Sequence, residues 1–257
     1  MLNFRTTNIV FISLALVAIV LASKNMVHWL TLLPLLIVYS LVLFYGSYYV
    51  GSNFFMKVLC KRTTTKKQIA ISFDDGPVEA YTTEILDLLK TANVPAAFFC
   101  IGKNIAGREA ILQRIIAEGH VIGNHSYSHH FWFDLFSAKK MKNDLEQMNE
   151  TVKNVTGLLP KLFRPPYGVT TPNMRKATDA LGVTAIGWNI RSMDTVIKEE
   201  DKLFDKVSQQ LQPGSIVLLH DTSKATLTML PRFIEAARDK GYEFVRVDKL
   251  LNVSPYA

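Results

Sequence analysis

The chain has 257 residues, a hydrophobic fraction of 49%, a mean hydropathy of +0.15 and a formal net charge of +7. That length holds one large domain with appendages, and two cysteines exclude a disulfide framework. The placement of charge excludes a basic nucleic-acid-binding domain: residues 1–67 carry seven of the 29 Lys and Arg and none of the 22 Asp and Glu, so residues 68–257 are neutral.

The chain begins with two apolar runs. Residues 9–22 are unbroken and apolar but short for a spanning helix. Flanks from Thr6 to Ser23 extend the run to a span; Arg5 ahead of it and Val20-Leu21-Ala22 at its end equally fit a signal peptide. Residues 29–49 carry no charge, with Trp29 at one end and Tyr45, Tyr48 and Tyr49 at the other, as an aromatic belt requires. The expectation is a two-helix membrane anchor over residues 1–56. Residues 57–67 hold Lys57, Lys61, Arg62, Lys66 and Lys67, a basic juxtamembrane linker suited to the head groups of membrane lipids. The positive-inside bias favours the cytoplasmic side for that end.

From residue 68 onward strands and helices alternate. Strands are expected over 68–73, 96–101, 121–124, 161–164, 183–188, 215–219 and 243–247. Helices are expected over 83–92, 106–118, 203–211 and 227–239. A further helix is capped by Ser137 and closed by Gly157, with Met141, Leu145, Met148, Val152 and Val155 on its apolar face. Such alternation implies a parallel sheet covered by helices, closed or nearly closed into a barrel, with chemistry at the C-terminal strand ends.

The strand ends are where polar residues gather. The first ends in Asp74-Asp75, followed by Gly76-Pro77. Adjacent carboxylates are costly unless neutralised, and a metal ion is the usual means; a solvated turn is the plain alternative. The third runs into His125-Ser126-Tyr127-Ser128-His129, where one helical turn would aim both histidines at one point. Two histidines and a carboxylate form a catalytic zinc pattern with a position open for water. The fourth ends in Arg164-Pro165-Pro166-Tyr167-Gly168, whose prolines stiffen the backbone so that Arg164 can clamp a carboxylate bidentately. The sixth ends in His220-Asp221. His120 reads as a surface or packing residue. Phe131–Phe136 either packs beneath the rim or forms an apolar lip towards a bilayer or a lipid-linked sugar.

In their order, FDDGP, HSYSH, RPPYG and LLH resemble the motifs of the polysaccharide deacetylases, carbohydrate esterase family 4, also called the NodB-homology domain. The resemblance covers roughly residues 68–251. It implies that residues 68–257 fold as an α/β domain, a distorted (β/α) barrel of seven or eight strands. It also implies metal-dependent hydrolysis of N-acetyl groups on the amino sugars of a glycan; with the two-helix anchor, the expectation is an integral protein of a bacterial cell membrane. Position by position, Asp75, His125 and His129 would hold a divalent metal, Zn2+ above all. Asp74 would be the base, oriented by Arg164, and His220 the acid. The N–H of Tyr167 would hold the oxyanion, with Leu218 and Trp188 on the substrate side. A glycosidase is excluded, because its two carboxyls must flank a bond about 5 Å or more apart.

The match breaks at one motif. Where the family has Asp-x-x-Asp-Trp, this chain has Arg191 for the first Asp and Thr195 for the Trp, and Asp194 alone agrees. An arginine beside His220 would lower its pKa. Either Arg191 turns away towards an anionic substrate group, or Asp194 or Asp221 supports His220. Two other readings compete with a glycan de-N-acetylase. One is a deacetylase or deformylase of a lipid-linked sugar at the cytoplasmic face, favoured by the basic linker, whereas an exported peptidoglycan or exopolysaccharide enzyme needs the opposite face. The other is a silent glycan-binding domain, against which the complete set of site residues argues.

Overall fold

A computed structural model describes residues 3–257. The first helix, α1 (Phe4–Ser23), is capped by Asn3, whose side chain accepts the Thr6 N–H; the second is α2 (Leu32–Tyr48). They lie side by side, joined by the Tyr39 hydroxyl donating to Asn8 at 2.8 Å and by the Phe11 and Tyr39 rings at 5.1 Å. Phe4–Ser23 and, counting the helical turn ahead of α2, Trp29–Tyr48 are long and apolar enough to cross a membrane. Ile12, Leu36, Leu41 and Phe44 are about 60% exposed, so no layer of the described residues covers this apolar surface.

The remainder is a curled, wholly parallel sheet wrapped by helices. In chain order come β1 (Gln68–Asp74), α3 (Glu79–Ala92), β2 (Ala96–Cys100), α4 (Glu109–Ala117), β3 (Val121–Asn124), α5 (Ala138–Thr156) and β4 (Leu162–Phe163). Then follow α6 (Pro172–Leu181), β5 (Thr184–Ala185), β6 (Ile190–Arg191), α7 (Glu200–Ser208), β7 (Ile216–His220), α8 (Lys224–Asp239), β8 (Glu243–Phe244) and α9 (Val247–Leu251). The spatial order is β5-β4-β3-β2-β1-β7-β6, with β8 beside the start of β1. β1 sits in the middle and all but its first residue are buried, because helices cover one face and the barrel interior the other. One core lies between the sheet and α3, α4, α7 and α8; a second joins Phe163, Met174 and Ala185 to Phe133 and Met141.

Residues 57–67 are built into the barrel wall and are not a free linker. Leu59 pairs with Ile186 and Lys61 with Ser215, so this segment lies across the gap between β5 and β7. Met56 and Val58 join the second core, Arg62 donates to the Leu250 carbonyl, and Lys67 donates to the Lys240 carbonyl.

The expected strands appear, shortened where the backbone cannot pair. β4 stops before Arg164-Pro165-Pro166, where the N–H donors run out. The run 183–188 contributes only β5, and β6 follows as a separate short strand. The run 243–247 ends at Phe244, and Val247 opens α9. Helix α6 was not among the expected elements, although Thr171 caps it, Pro172 opens it and Gly182 closes it in the left-handed region.

Candidate active site

The register of the central strands builds the site. Asp74 pairs with His220, and Ser72 with Leu218, across β1 and β7. Side chains two apart share a face, so Ser72, Asp74, Leu218 and His220 line one side of the sheet at its C-terminal edge. The chain leaves β1 at Asp75 with φ +78. Asp75 thereby turns away from Asp74, and the two carboxylates take separate partners.

Asp74 is 3% exposed and meets Arg164, which is wholly buried. Arg164 Nη1 donates to Asp74 Oδ1 at 2.7 Å and to Ser72 Oγ at 2.8 Å. Its Nε and Nη2 donate to the carbonyls of Ile186 and Gly187. The expected bidentate clamp is therefore absent: two of the three nitrogens hold backbone, leaving one for the carboxylate. The guanidinium is stacked 4.0 Å from the Phe99 ring centroid and 5.6 Å from that of Trp188. Trp188 itself packs so closely on Gly168 that a Cβ there would lie 2.7 Å from its ring.

Asp75, His125 and His129 form a triangle of donor atoms, all within 4.8 Å of one another. Asp75 Oδ1 lies 3.5 Å from Nε2 of each histidine, is buried, and accepts no hydrogen bond among the described residues. His125 Nδ1 sits 3.0 Å from the Arg164 carbonyl. A carbonyl only accepts, so Nδ1 carries the proton and the Nε2 lone pair is free for a cation. An orphaned carboxylate oxygen facing two imidazole nitrogens fits a divalent metal.

The histidines are not brought together by a helical turn, as the spacing suggested. They meet through a compact loop with Ser126 at φ +67 and His129 at φ +42. Asn124 accepts the Ser126 N–H, Ser126 Oγ accepts the His129 N–H, and Asp144 of α5 accepts from Tyr127 and Ser128. Backbone held in these sparsely populated conformations needs such surrounding bonds. His130 faces elsewhere and accepts the Trp132 N–H.

His220 Nδ1 lies 2.7 Å from Asp194 Oδ1, and its Nε2 points inward, 4.0 Å from Asp75 Oδ2. Asp194 is wholly buried and also takes bonds from Ser192 and Thr226. Burial opposes the charged imidazole, but the Asp194 bond and charge, with Asp74 and Asp75 beyond, push His220 up to about 9. Arg191 is exposed, with its guanidinium 6.0 Å from the Trp188 ring centroid. Asp221 does not touch His220. It accepts from Thr82 at 2.7 Å, and burial, ahead of the charges of Asp75 and Asp74, pushes it up to about 7.

Tyr167 lies at the mouth with φ +59, its ring edge-on to His129 at 4.7 Å. Its backbone N–H donates to no group among the described residues. The Phe131–Phe136 run is divided. Phe133 is wholly buried, whereas Phe131, Trp132 and Leu135 are 57–70% exposed.

Ser72, Asp144, Ser192 and Thr226 support the site but were not legible in the sequence. Each is a common polar residue whose partner lies on another element. An alternating strand pattern gave the only hint for Ser72, as the one polar side chain within Ile69–Phe73.

Comparison with known proteins places this geometry. A family model described as polysaccharide deacetylase matches residues 61–186. A peptidoglycan-N-acetylmuramic acid deacetylase of Bacillus subtilis is 32% identical over 82% of this chain and 78% of its own length. A peptidoglycan-N-acetylglucosamine deacetylase of Listeria monocytogenes is 32% identical over 74% of this chain, but the match spans 40% of that protein. The solved structure of a further peptidoglycan N-acetylglucosamine deacetylase superposes with a TM-score of 0.74 and 30% identity, covering 78% of this chain and 95% of that one.

Proposed function

This chain belongs to the polysaccharide deacetylase family, carbohydrate esterase family 4, and from that premise we propose that it is a metal-dependent hydrolase removing N-acetyl groups from the amino sugars of a glycan. The observation that carries the reading is the pairing of Asp74 with His220 across β1 and β7, which sets Asp74 Oδ2 3.8 Å from His125 Nε2 and His220 Nε2 4.0 Å from Asp75 Oδ2, beside the Asp75–His125–His129 triangle.

Asp75, His125 and His129 are the metal ligands, and two histidines with one carboxylate suit Zn2+. When bound, a divalent ion polarises the amide carbonyl and lowers the pKa of a water. Asp74 would accept the proton of the attacking water. Arg164 orients the carboxylate through its 2.7 Å bond. The Tyr167 N–H donates to the oxygen that gains charge as the carbonyl carbon becomes tetrahedral. His220 donates from Nε2 to the departing amine, and Asp194 holds it protonated with the ring fixed at Nδ1. Leu218, buried between Ser72 and Arg191 on neighbouring strands, gives the acetyl methyl an apolar wall, and Trp188 bounds the same side.

The hairpin α1–α2 is the membrane anchor of this enzyme, in a bacterial cell membrane. A second reading, a deacetylase or deformylase of a lipid-linked sugar, is favoured by one observation. The Ser47 carbonyl accepts the Thr170 N–H, and Ser47 Oγ donates to the Thr170 carbonyl. The end of the second apolar helix is thus bonded to the loop that carries Tyr167, which brings the mouth near the bilayer. The test is acetate or formate release from N-acetylated glycans and from lipid-linked sugars, with and without a chelator. Release from neither class by the metal-loaded chain would refute the hydrolase.

A further inference from the structure

A groove of about 770 Å³ lies between the end of α2, residues 57–61 and the β6–α7 side of the barrel. Four cations line it, Lys57, Lys61, Arg191 and Lys206, and no acidic residue does. Some other surface cations are matched: Arg232 meets Asp201, Lys202 meets Glu199, and Arg175 meets Asp179. None of the four groove cations forms an ion pair among the described residues. Unmatched like charges converging on one concavity repel one another and focus a field that an anion relieves.

The ends of the groove define what that anion is attached to. At one end are Tyr48 and Tyr49, where the second apolar helix finishes and lipid head groups lie if the hairpin spans a bilayer. At the other is Trp188, whose ring covers the Arg164 guanidinium behind Asp74. Four cations exceed what one phosphodiester needs and match two linked phosphates.

We propose that this groove binds the diphosphate of a membrane lipid that carries the sugar substrate. Arg191 then has a task at the position where it departs from the family pattern. The proposal rests on the anchor reading and extends the lipid-linked reading, but its readout is retained lipid and not turnover.

The full chain would be placed in phosphatidylcholine nanodiscs holding equal fractions of phosphatidylglycerol and a long-chain polyprenyl diphosphate, and retained lipid counted by native mass spectrometry. Retention of the diphosphate should exceed that of phosphatidylglycerol about 10-fold and fall about 10-fold in Arg191→Gln/Lys206→Gln. It should persist in the charge-matched Lys153→Gln/Lys249→Gln and in Asp74→Asn. Equal retention of the two lipids, or retention unchanged in the groove variant, overturns the assignment. A chain that enters the disc but retains neither lipid fails at the groove alone; one that does not enter the disc fails at the anchor.

Discussion

Asp194 Oδ1 lies 2.7 Å from His220 Nδ1, and this contact supplies the support that Arg191 would have opposed. Asp194 sits on the loop after β6 with no exposed surface, held by Ser192 and Thr226. A buried carboxylate is costly unless hydrogen bonded, and here those bonds also fix the imidazole ring. Asp194→Asn should lower kcat about 100-fold or more while leaving metal content unchanged. The alkaline limb of the pH–rate profile should move to lower pH, since the charge that raises His220 is gone. An unshifted limb would refute Asp194 as the group that holds His220 protonated.

The two neighbouring aspartates should separate in a metal assay. Asp75→Ala or His125→Ala removes a donor, so bound metal measured by atomic emission should be lost. Asp74→Asn leaves the triangle intact and should retain metal while kcat falls about 100-fold to 10,000-fold. Full turnover in Asp74→Asn would end the base assignment.

Arg164 carries structure as well as chemistry. Its removal would leave Asp74 buried without its partner and free the carbonyls of Ile186 and Gly187. Arg164→Met should cost about 3–5 kcal/mol in urea unfolding, the range for breaking a buried pair. Arg164→Lys should recover little, since one ammonium cannot reach the positions that three guanidinium nitrogens now hold.

The aromatic run after the histidines should divide under mutation as it does in space. Phe133 is wholly buried among Met141, Phe163 and neighbouring side chains, so Phe133→Ser should destabilise the fold by about 3–5 kcal/mol. Trp132, 57% exposed, should tolerate Ser with a midpoint within about 0.5 kcal/mol of the parent. Equal midpoints for both variants would contradict the packing.

His120 gives the barrel an acid-sensitive step away from the site. It is 4% exposed, its Nδ1 accepts the Ala96 N–H, and burial lowers it to about 4. The folded state favours the neutral ring, so this contribution is complete above the unfolded value near 6.5. It declines as pH falls from there towards 4. The loss amounts to about 3 kcal/mol. Unfolding midpoints at pH 7 and pH 4.5 should differ less in His120→Asn, whose amide can still accept the Ala96 N–H.

Much of this protein was legible in the chain itself. Period-2 and period-3.6 patterns are local, so β1, β2, β3 and α5 emerged near their true limits. The motif residues Asp74, Asp75, His125, His129, Arg164 and His220 stood at strand ends, and a parallel barrel brings strand ends together. Tertiary structure alone decided the rest. Whether Arg164 grips with one nitrogen or two depends on the Ile186 and Gly187 carbonyls, which no local pattern places. Arg191 and Asp194 are three residues apart, and only the path of the chain after β6 decides that Asp194 faces inward. Residues 57–61 read as a linker because charge alone marked them; packing against Phe163 and Ala185 makes them part of the wall. A sequence records the period of an element and the chemistry of a side chain, whereas the partner of a buried charge is set by where distant segments cross.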